Sequence, residues 1–241
     1  MSEEIFVWIY FALFIVMILL EVPIGSAMVL SSLLYIVQNG QSFVMFAQKT
    51  AASFASYSLL AVPAFVFVGC AMNEIGFSDR IFGVAEKAVG HIPGGLGHAN
   101  VLASMIFAGM SGSAMADAGG LGAIEIKAMD DAGYDRGFSV AITAASSGIG
   151  PIIPPSIAMI VYASTMGTSI TKMFAGALIP GLVISLTLCV TVYFQARKYN
   201  IPVRKEKHAF KEFLKATVNA FGVLLIPVVV LGGIYGGFVT T

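Results

Sequence analysis

The sequence predicts an all-α polytopic membrane protein, and three observations carry that prediction. Of its 241 residues, 58% are hydrophobic and 11% charged, where an ordinary soluble domain carries roughly 25% charged residues. Seven stretches contain no Asp, Glu, Lys or Arg: Ile5–Leu20, Val22–Gln48, Thr50–Asn73, Ala88–Ala116, Gly137–Thr171, Met173–Ala196 and Ala216–Thr241. Two of them are interrupted midway by dense Gly, Ser and Pro. Thirteen basic and thirteen acidic residues cancel, which excludes a nucleic-acid binder, and so few charges exclude a cytosolic enzyme or a disordered tail.

A bilayer span needs about 20 mostly apolar residues. Met1-Ser2-Glu3-Glu4 lacks the basic start of a cleavable signal peptide. Glu21-Val22-Pro23-Ile24-Gly25 breaks the first 37 residues into two helices or one sharply kinked helix. Leu59–Asn73 is expected to be a helix opened by Val62-Pro63, and Met173–Ala196 and Ala216–Gly237 simple crossing helices. Cys70 and Cys189 lie inside apolar runs and read as small core hydrophobes, not a disulfide framework.

Ala88–Ala116 is different. His91-Ile92-Pro93-Gly94-Gly95-Leu96-Gly97-His98 leads into an apolar run, Val101–Met110, and then into Ser111-Gly112-Ser113, with a second helical pattern from Ala114 to about Met129. Ten apolar residues make about 15 Å of helix, half a bilayer. A re-entrant hairpin fits that length, with its tip near the midplane. Gly137–Ala163 holds Gly148, Gly150, Pro151, Pro154 and Pro155 in mid-window, and no continuous helix passes through them. The chain therefore divides into scaffold and arm helices (1–87), a re-entrant hairpin (88–136), a broken transmembrane helix (137–171), a helix with a basic loop (172–215) and a last segment (216–241).

Arg197, Lys198, Arg204, Lys205, Lys207, Lys211 and Lys215 face only Glu206 and Glu212 in the loop between two windows. The positive-inside rule makes that loop cytoplasmic, and with it Glu125 to Arg136. Two breaks at half depth point to a solute site, because secondary transporters place substrates and coupling ions at interrupted helices. Ser113 is expected to cap a helix whose amides suit a carboxylate. Carbonyls around Gly148–Pro154 and the hydroxyls of Ser111, Ser146 and Ser147 suit Na⁺. The candidate site is therefore Ser111, Gly112, Ser113, Ser146, Ser147, Gly148, Gly150, Pro151, Pro154 and Pro155, with Na⁺ at Ser111, Ser113, Ser146 and Gly148.

Asp117 is expected to anchor the hairpin by bonding backbone amides, with a charge near an ion as the alternative. Gly119, Gly120 and Gly122 read as packing glycines. His91 and His98 are expected at the membrane interface and His208 in the solvated basic loop. No catalytic residue and no cofactor other than Na⁺ is called for. Gly109-Met110-Ser111-Gly112 matches the short pattern of rhomboid-like intramembrane serine hydrolases, and a non-transporting membrane scaffold is a third alternative. The hydrolase lacks a histidine between Gly112 and the basic loop to serve as its base.

With these residues laid out, the chain resembles the large, DctM-type membrane subunit of tripartite ATP-independent periplasmic (TRAP) transporters. The matching stretches are Phe65-Val66-Phe67-Val68-Gly69 with Met72-Asn73, Pro93-Gly94-Gly95-Leu96, and Ser111-Gly112-Ser113-Ala114. They continue through Lys127-Ala128-Met129-Asp130-Asp131-Ala132-Gly133-Tyr134, Ile149-Gly150-Pro151-Ile152-Ile153-Pro154-Pro155-Ser156, Ala175-Gly176 and Pro180-Gly181. The resemblance implies an elevator-type ion transporter fold with two inverted repeats, each holding a re-entrant hairpin and a broken helix. It implies Na⁺-driven uptake of an organic acid, C4-dicarboxylate or sialic acid, in a bacterial inner membrane. The implied partners are a small DctQ-type membrane subunit and a DctP-type periplasmic binding protein. The stretch Ala116-Asp117-Ala118-Gly119-Gly120-Leu121-Gly122 looks similar to sialic-acid-type members. The family's large subunit is typically much longer, and Gly232–Thr241 looks like the opening of the second repeat. The second hairpin and second broken helix are thus expected in a missing C-terminal half.

Overall fold

A computed structural model describes residues 3–55, 57–199, 201 and 210–237. Arg204, Lys205, Glu206, Lys207 and His208 of the basic loop, and the last four residues, 238–241, lie outside the described residues. The described residues are helical throughout, with no strand among them. They form two compact units, 1–56 and 57–241.

In the first unit α1 (Glu3–Leu19) and α2 (Ile24–Gln38) are separate helices, so the alternative of one kinked helix is settled. Pro23 has no amide to continue the ladder, and Glu21 takes a left-handed φ of 62° at the turn. The two helices run antiparallel: Tyr10 midway along α1 packs edge-on against Tyr35 near the end of α2 at 5.7 Å and donates its hydroxyl to Gln38. α3 (Phe43–Phe54) follows, its N-terminus capped by Ser42, which accepts from Val44 N–H at 3.2 Å.

The second unit begins with α4 (Tyr57–Glu74), which contains Pro63, and α5 (Phe77–Val89). The chain turns 72° between them at Gly76, whose φ of +75° ends one helix and starts the next. α5 lies in no charge-free stretch. It is amphipathic, burying Ile81, Phe82, Val84 and Ala85, and its polar face hid it from a search for uncharged windows.

The hairpin departs from expectation in length. Its first arm, α6, runs Gly95–Ser111, 17 residues and about 25 Å, not the ten of Val101–Met110. The glycines that read as a loop are helical because they are packing surfaces. A Cβ on Gly95 would stand 2.2 Å from the Gly90 carbonyl oxygen, and one on Gly97 would stand 2.9 Å from Val192. His98, expected at an interface, is buried with them. The tip is Gly112–Ser113. The return arm is one helical path of three parts, α7 (Ala114–Ala116), a π turn (Asp117–Leu121) and α8 (Gly122–Asp131). The base is closed by Leu96 N–H, which donates to the buried Tyr134 hydroxyl at 3.2 Å.

α9 (Arg136–Ser147) and α10 (Ile157–Met166) flank the expected break. Asp135 caps α9 by accepting from Phe138 N–H at 2.9 Å, and Ser156 caps α10 by accepting from Met159 N–H at 3.3 Å. α11 (Ile170–Lys198) is the expected simple long helix, tolerating Pro180 inside it. The last window is not simple: α12 (Phe210–Asn219) meets α13 (Phe221–Tyr235) at a 62° bend. The bend falls at Ala220, while Pro227, the residue that invites a kink, sits inside α13.

By length and composition α11 alone among the described residues can cross a membrane, or up to three spans exist if each bent pair counts as one. Most of the seven charge-free windows are cut into shorter helices. The core of the second unit gathers on α5, α6 and the return arm, around Ile81, Leu96, Phe107, Met110, Leu121 and Met129. Cys189 is half-buried, but Cys70, expected in the core, is exposed.

Tyr134→Phe removes the acceptor for Leu96 N–H and leaves a buried amide unsatisfied, a loss of about 1–3 kcal/mol. Thermal unfolding of the membrane-extracted chain is expected to show a lower midpoint, and an unchanged midpoint would remove the clasp from the hairpin base.

Candidate solute and ion site

The two interruptions meet. The Gly112 carbonyl at the hairpin tip accepts from Ile157 N–H, the first helical residue of α10, at 3.4 Å. Gly112 can occupy this place because it has no side chain: its φ is +59°, and a Cβ would stand 2.5 Å from the Pro155 carbonyl oxygen. Gly150 makes the reciprocal contact, with the nearest atoms to a Cβ there being the Ser113 and Ala114 backbone at 3.1–3.2 Å. Tip and break are thus seated backbone on backbone.

Local chemistry shapes each piece. Ser113 is extended at the head of the return arm, and its hydroxyl accepts from Ala116 N–H at 3.4 Å, an N-cap. The buried Ser111 hydroxyl accepts from Ser113 N–H at 3.5 Å. Across the break, Ile149, Gly150, Ile152 and Ile153 donate amides back to Ser146, Ser147 and Ile149 carbonyls at 2.9–3.0 Å. The Ser156 hydroxyl donates to the Pro151 carbonyl at 2.6 Å. Pro154 and Pro155 bring no amide, which leaves their stretch rich in acceptors.

Not every expected site residue joins this contact through its side chain. Ser111, Gly112, Ser113, Gly150, Pro154 and Pro155 lie at or beside the junction, with Pro151 in the middle of the break. Ser146 and Ser147 direct their hydroxyls elsewhere. Ser146 donates to Asn100 Oδ1 at 2.6 Å and lies 3.1 Å from the Thr143 carbonyl, and Ser147 donates to that same carbonyl. Gly148 is exposed. Asp117 is buried, but its two carboxylate oxygens receive no hydrogen bond, so it does not hold backbone amides as an anchor would. Its carboxyl lies next to the Ser104 hydroxyl of α6, on the hairpin's first arm.

Neighbouring helices enclose the junction. Gly69 of α4 passes Ser111, with a Cβ there 3.5 Å from the Ser111 Cβ; Gly109 packs on Pro227 of α13 and Gly181 of α11 on Ile153. A cavity of about 320 Å³ beside α6, lined by apolar residues including Phe65, Val68, Met110 and Ile226, has no polar group to orient an acid. Gly120 and Gly122 are packing glycines, as their sequence context suggests: Asn73 fills the hollow over Gly120 and Thr143 the one over Gly122. Gly119 faces open space.

The sequence reading missed Asn100. Buried on α6, it donates to Thr143 Oγ1 at 2.7 Å and accepts from Ser146, locking the hairpin's first arm to α9. It missed Glu125 too, placed in a cytoplasmic stretch but 0% exposed. For Asn100 the available signal was a polar side chain inside a mostly apolar helix, which must find a partner or a function; Glu125, among Lys127, Asp130 and Asp131 on α8, carried no such mark.

The family described as the DctM component of tripartite ATP-independent periplasmic transporters matches residues 11–241. The chain is similar to the sialic acid TRAP transporter permease SiaT of Haemophilus influenzae, 42% identical over 232 residues, covering 96% of this chain and 38% of that protein. It is similar to the large permease SiaM of Vibrio cholerae, 42% identical over 216 residues, covering 89% of this chain and 50% of that one. The C4-dicarboxylate large permease DctM of Vibrio cholerae is 38% identical over 232 residues, covering 95% and 51%. The chain thus spans about half the length, or less, of these relatives. All three are named as permeases, none as a hydrolase or a scaffold.

Gly112→Ala is expected to unseat the tip: the left-handed backbone costs an alanine roughly 1–2 kcal/mol before the clash with Pro155 is counted. Gly119→Ala, with nothing within 4 Å, is the control. Thermal unfolding should fall for the first and not the second; equal shifts would separate the tip from the break.

Proposed function

This chain belongs to the DctM component family of TRAP transporters, and on that premise we propose that it forms part of the membrane permease of a Na⁺-coupled secondary transporter. The cargo is an organic acid of the sialic acid or C4-dicarboxylate class, the classes named for the three relatives above. A periplasmic binding protein delivers the acid, and a small membrane subunit and the remainder of the large subunit complete the permease. The setting is a bacterial inner membrane, with the basic residues around Arg197 and Lys215 on the cytoplasmic side.

One observation carries this role: the backbone junction between Gly112 and Ile157. It joins two interrupted helices at a point rich in small residues and backbone carbonyls, hard oxygens of the kind that suit a dehydrated cation. Ser111 and Ser113 are the proposed contributors at the junction; Ser146, turned to Asn100, and the exposed Gly148 join them only on reorienting when the ion binds. The capped amides that open the return arm at Ser113 suit a carboxylate. Na⁺ binding draws tip and break together and completes the acid-binding surface, so each ligand raises the affinity for the other. The hairpin and broken helix then move across the membrane as a carrier against a fixed scaffold, the elevator arrangement of two inverted repeats. No bond is made or broken.

Ser111→Ala combined with Ser113→Ala is expected to abolish Na⁺-driven uptake by the complete complex while membrane insertion stays intact. Uptake at the unaltered rate would take the hairpin tip out of the mechanism.

A further inference from the structure

Inside the hairpin lies a set of polar groups that the tip and break do not use. Glu125 is 0% exposed and Asp117 1%, and none of their four carboxylate oxygens receives a hydrogen bond. Ser104 on α6 is 1% exposed. Its hydroxyl stands next to the Asp117 carboxyl, yet outside hydrogen-bond geometry, and has no other partner.

The π turn brings these groups together. Eight regular α-helical steps of about 100° would set residues 117 and 125 about 80° apart around the axis. Here the Gly122 N–H donates to the Asp117 carbonyl, five residues back, and such a bond absorbs one extra residue. The eight steps then count as seven, and the two carboxyls align within about 20° on one face.

Among the described residues no cation is paired with either carboxyl. The elements against α8 are α5, α6, α9 and the π turn. The π turn contributes Asp117, the charged group that acts on Glu125. α6 contributes His98, in its first turn at the hairpin base. α9 contributes Arg136, which is 81% exposed and stands 3.7 Å from Asp130. On α5, Asp79 and Arg80 are exposed, with Arg80 reaching the Asn219 carbonyl, while Glu86 and Lys87 are half-buried near the helix's last turn. On α8 itself Lys127 and Asp131 are exposed. Two ionised carboxylates buried side by side, with no hydrogen bond to either and no cation beside them among the described residues, are not a stable arrangement.

We propose that Glu125 is a proton-binding site inside the hairpin, holding a proton at neutral pH against the adjacent Asp117. The bound proton neutralises one of the two carboxyls and adds a donor to a set in which the Ser104 hydroxyl is otherwise the one beside Asp117. Its passage across the membrane with the hairpin rests on the transport role above; its binding does not.

Infrared spectroscopy of the chain in lipid bilayers tests this without measuring transport. At neutral pH a protonated-carboxyl C=O band that shifts in D₂O is expected, lost in Glu125→Gln and displaced when the glutamates alone carry ¹³C. If Glu125→Gln does not insert, the ¹³C displacement in the unaltered chain decides. No such band at neutral pH overturns the proposal. So does a band that survives Glu125→Gln, one that belongs to aspartate, or one that emerges only when Na⁺ is withdrawn, which makes the site a cation site. Failed uptake in the Ser111/Ser113 variant leaves this result untouched.

Discussion

A helix that stops where water cannot reach leaves amides and carbonyls that something else must satisfy. Four helix ends here fall together: the C-terminus of α6, the N-terminus of the return arm at α7, the C-terminus of α9 and the N-terminus of α10. They satisfy one another. Ser113 and Ser156 cap the two onward helices, the Pro151 carbonyl takes the Ser156 hydroxyl, and the Gly112 carbonyl takes the Ile157 amide. The rest of the second unit follows from the need to bring those ends into register, with α4, α11 and α13 packed closely enough to enclose them.

Close packing of that kind is a matter of missing side chains. Gly97 lies against Val192, Gly109 against Pro227, Gly181 against Ile153 and Gly122 against Thr143. At each of these a Cβ would approach its neighbour to within 2.6–3.0 Å. Where apolar surroundings give helices little hydrophobic reason to associate, such close approaches and a few buried hydrogen bonds do the holding. Asn100 supplies the second kind, tying α6 to α9 through Thr143 and Ser146.

Much of this was written plainly in the sequence, and the remainder was hidden for identifiable reasons. The breaks at Ser111–Ser113 and Gly148–Pro155 were legible because Gly and Pro act locally, through φ and a missing amide, whatever surrounds them. The helical start at Gly95 was not, because glycines that serve as contact surfaces look the same in sequence as glycines that open a loop. Only the nearness of Gly90 and Val192 distinguishes them. The bend at Ala220 carries no local mark, and the prolines at 63, 180 and 227, which do, lie inside their helices. At the site, Ser113 was legible as a cap from its position. The hydroxyl of Ser146 is drawn to Asn100, 46 residues away, which no reading of neighbours finds, whereas Ser147 turns back to the Thr143 carbonyl of its own helix.

The hairpin's attachments are unequal, and their order bears on how it works. Its base is clasped by Tyr134 and its first arm is bolted to α9 by two side-chain bonds of 2.6–2.7 Å. Its tip rests on one backbone bond of 3.4 Å and on contacts between glycines and carbonyls. Strain or a ligand therefore acts first at the tip, where the least must be broken, and the arm with the π turn behind it moves as a body with its buried acids. A ligand that grips the tip and break together needs only to strengthen this weakest attachment. The same ligand need not disturb Asn100 or Tyr134, so the hairpin and the broken helix stay one piece while the contact between their ends tightens or loosens.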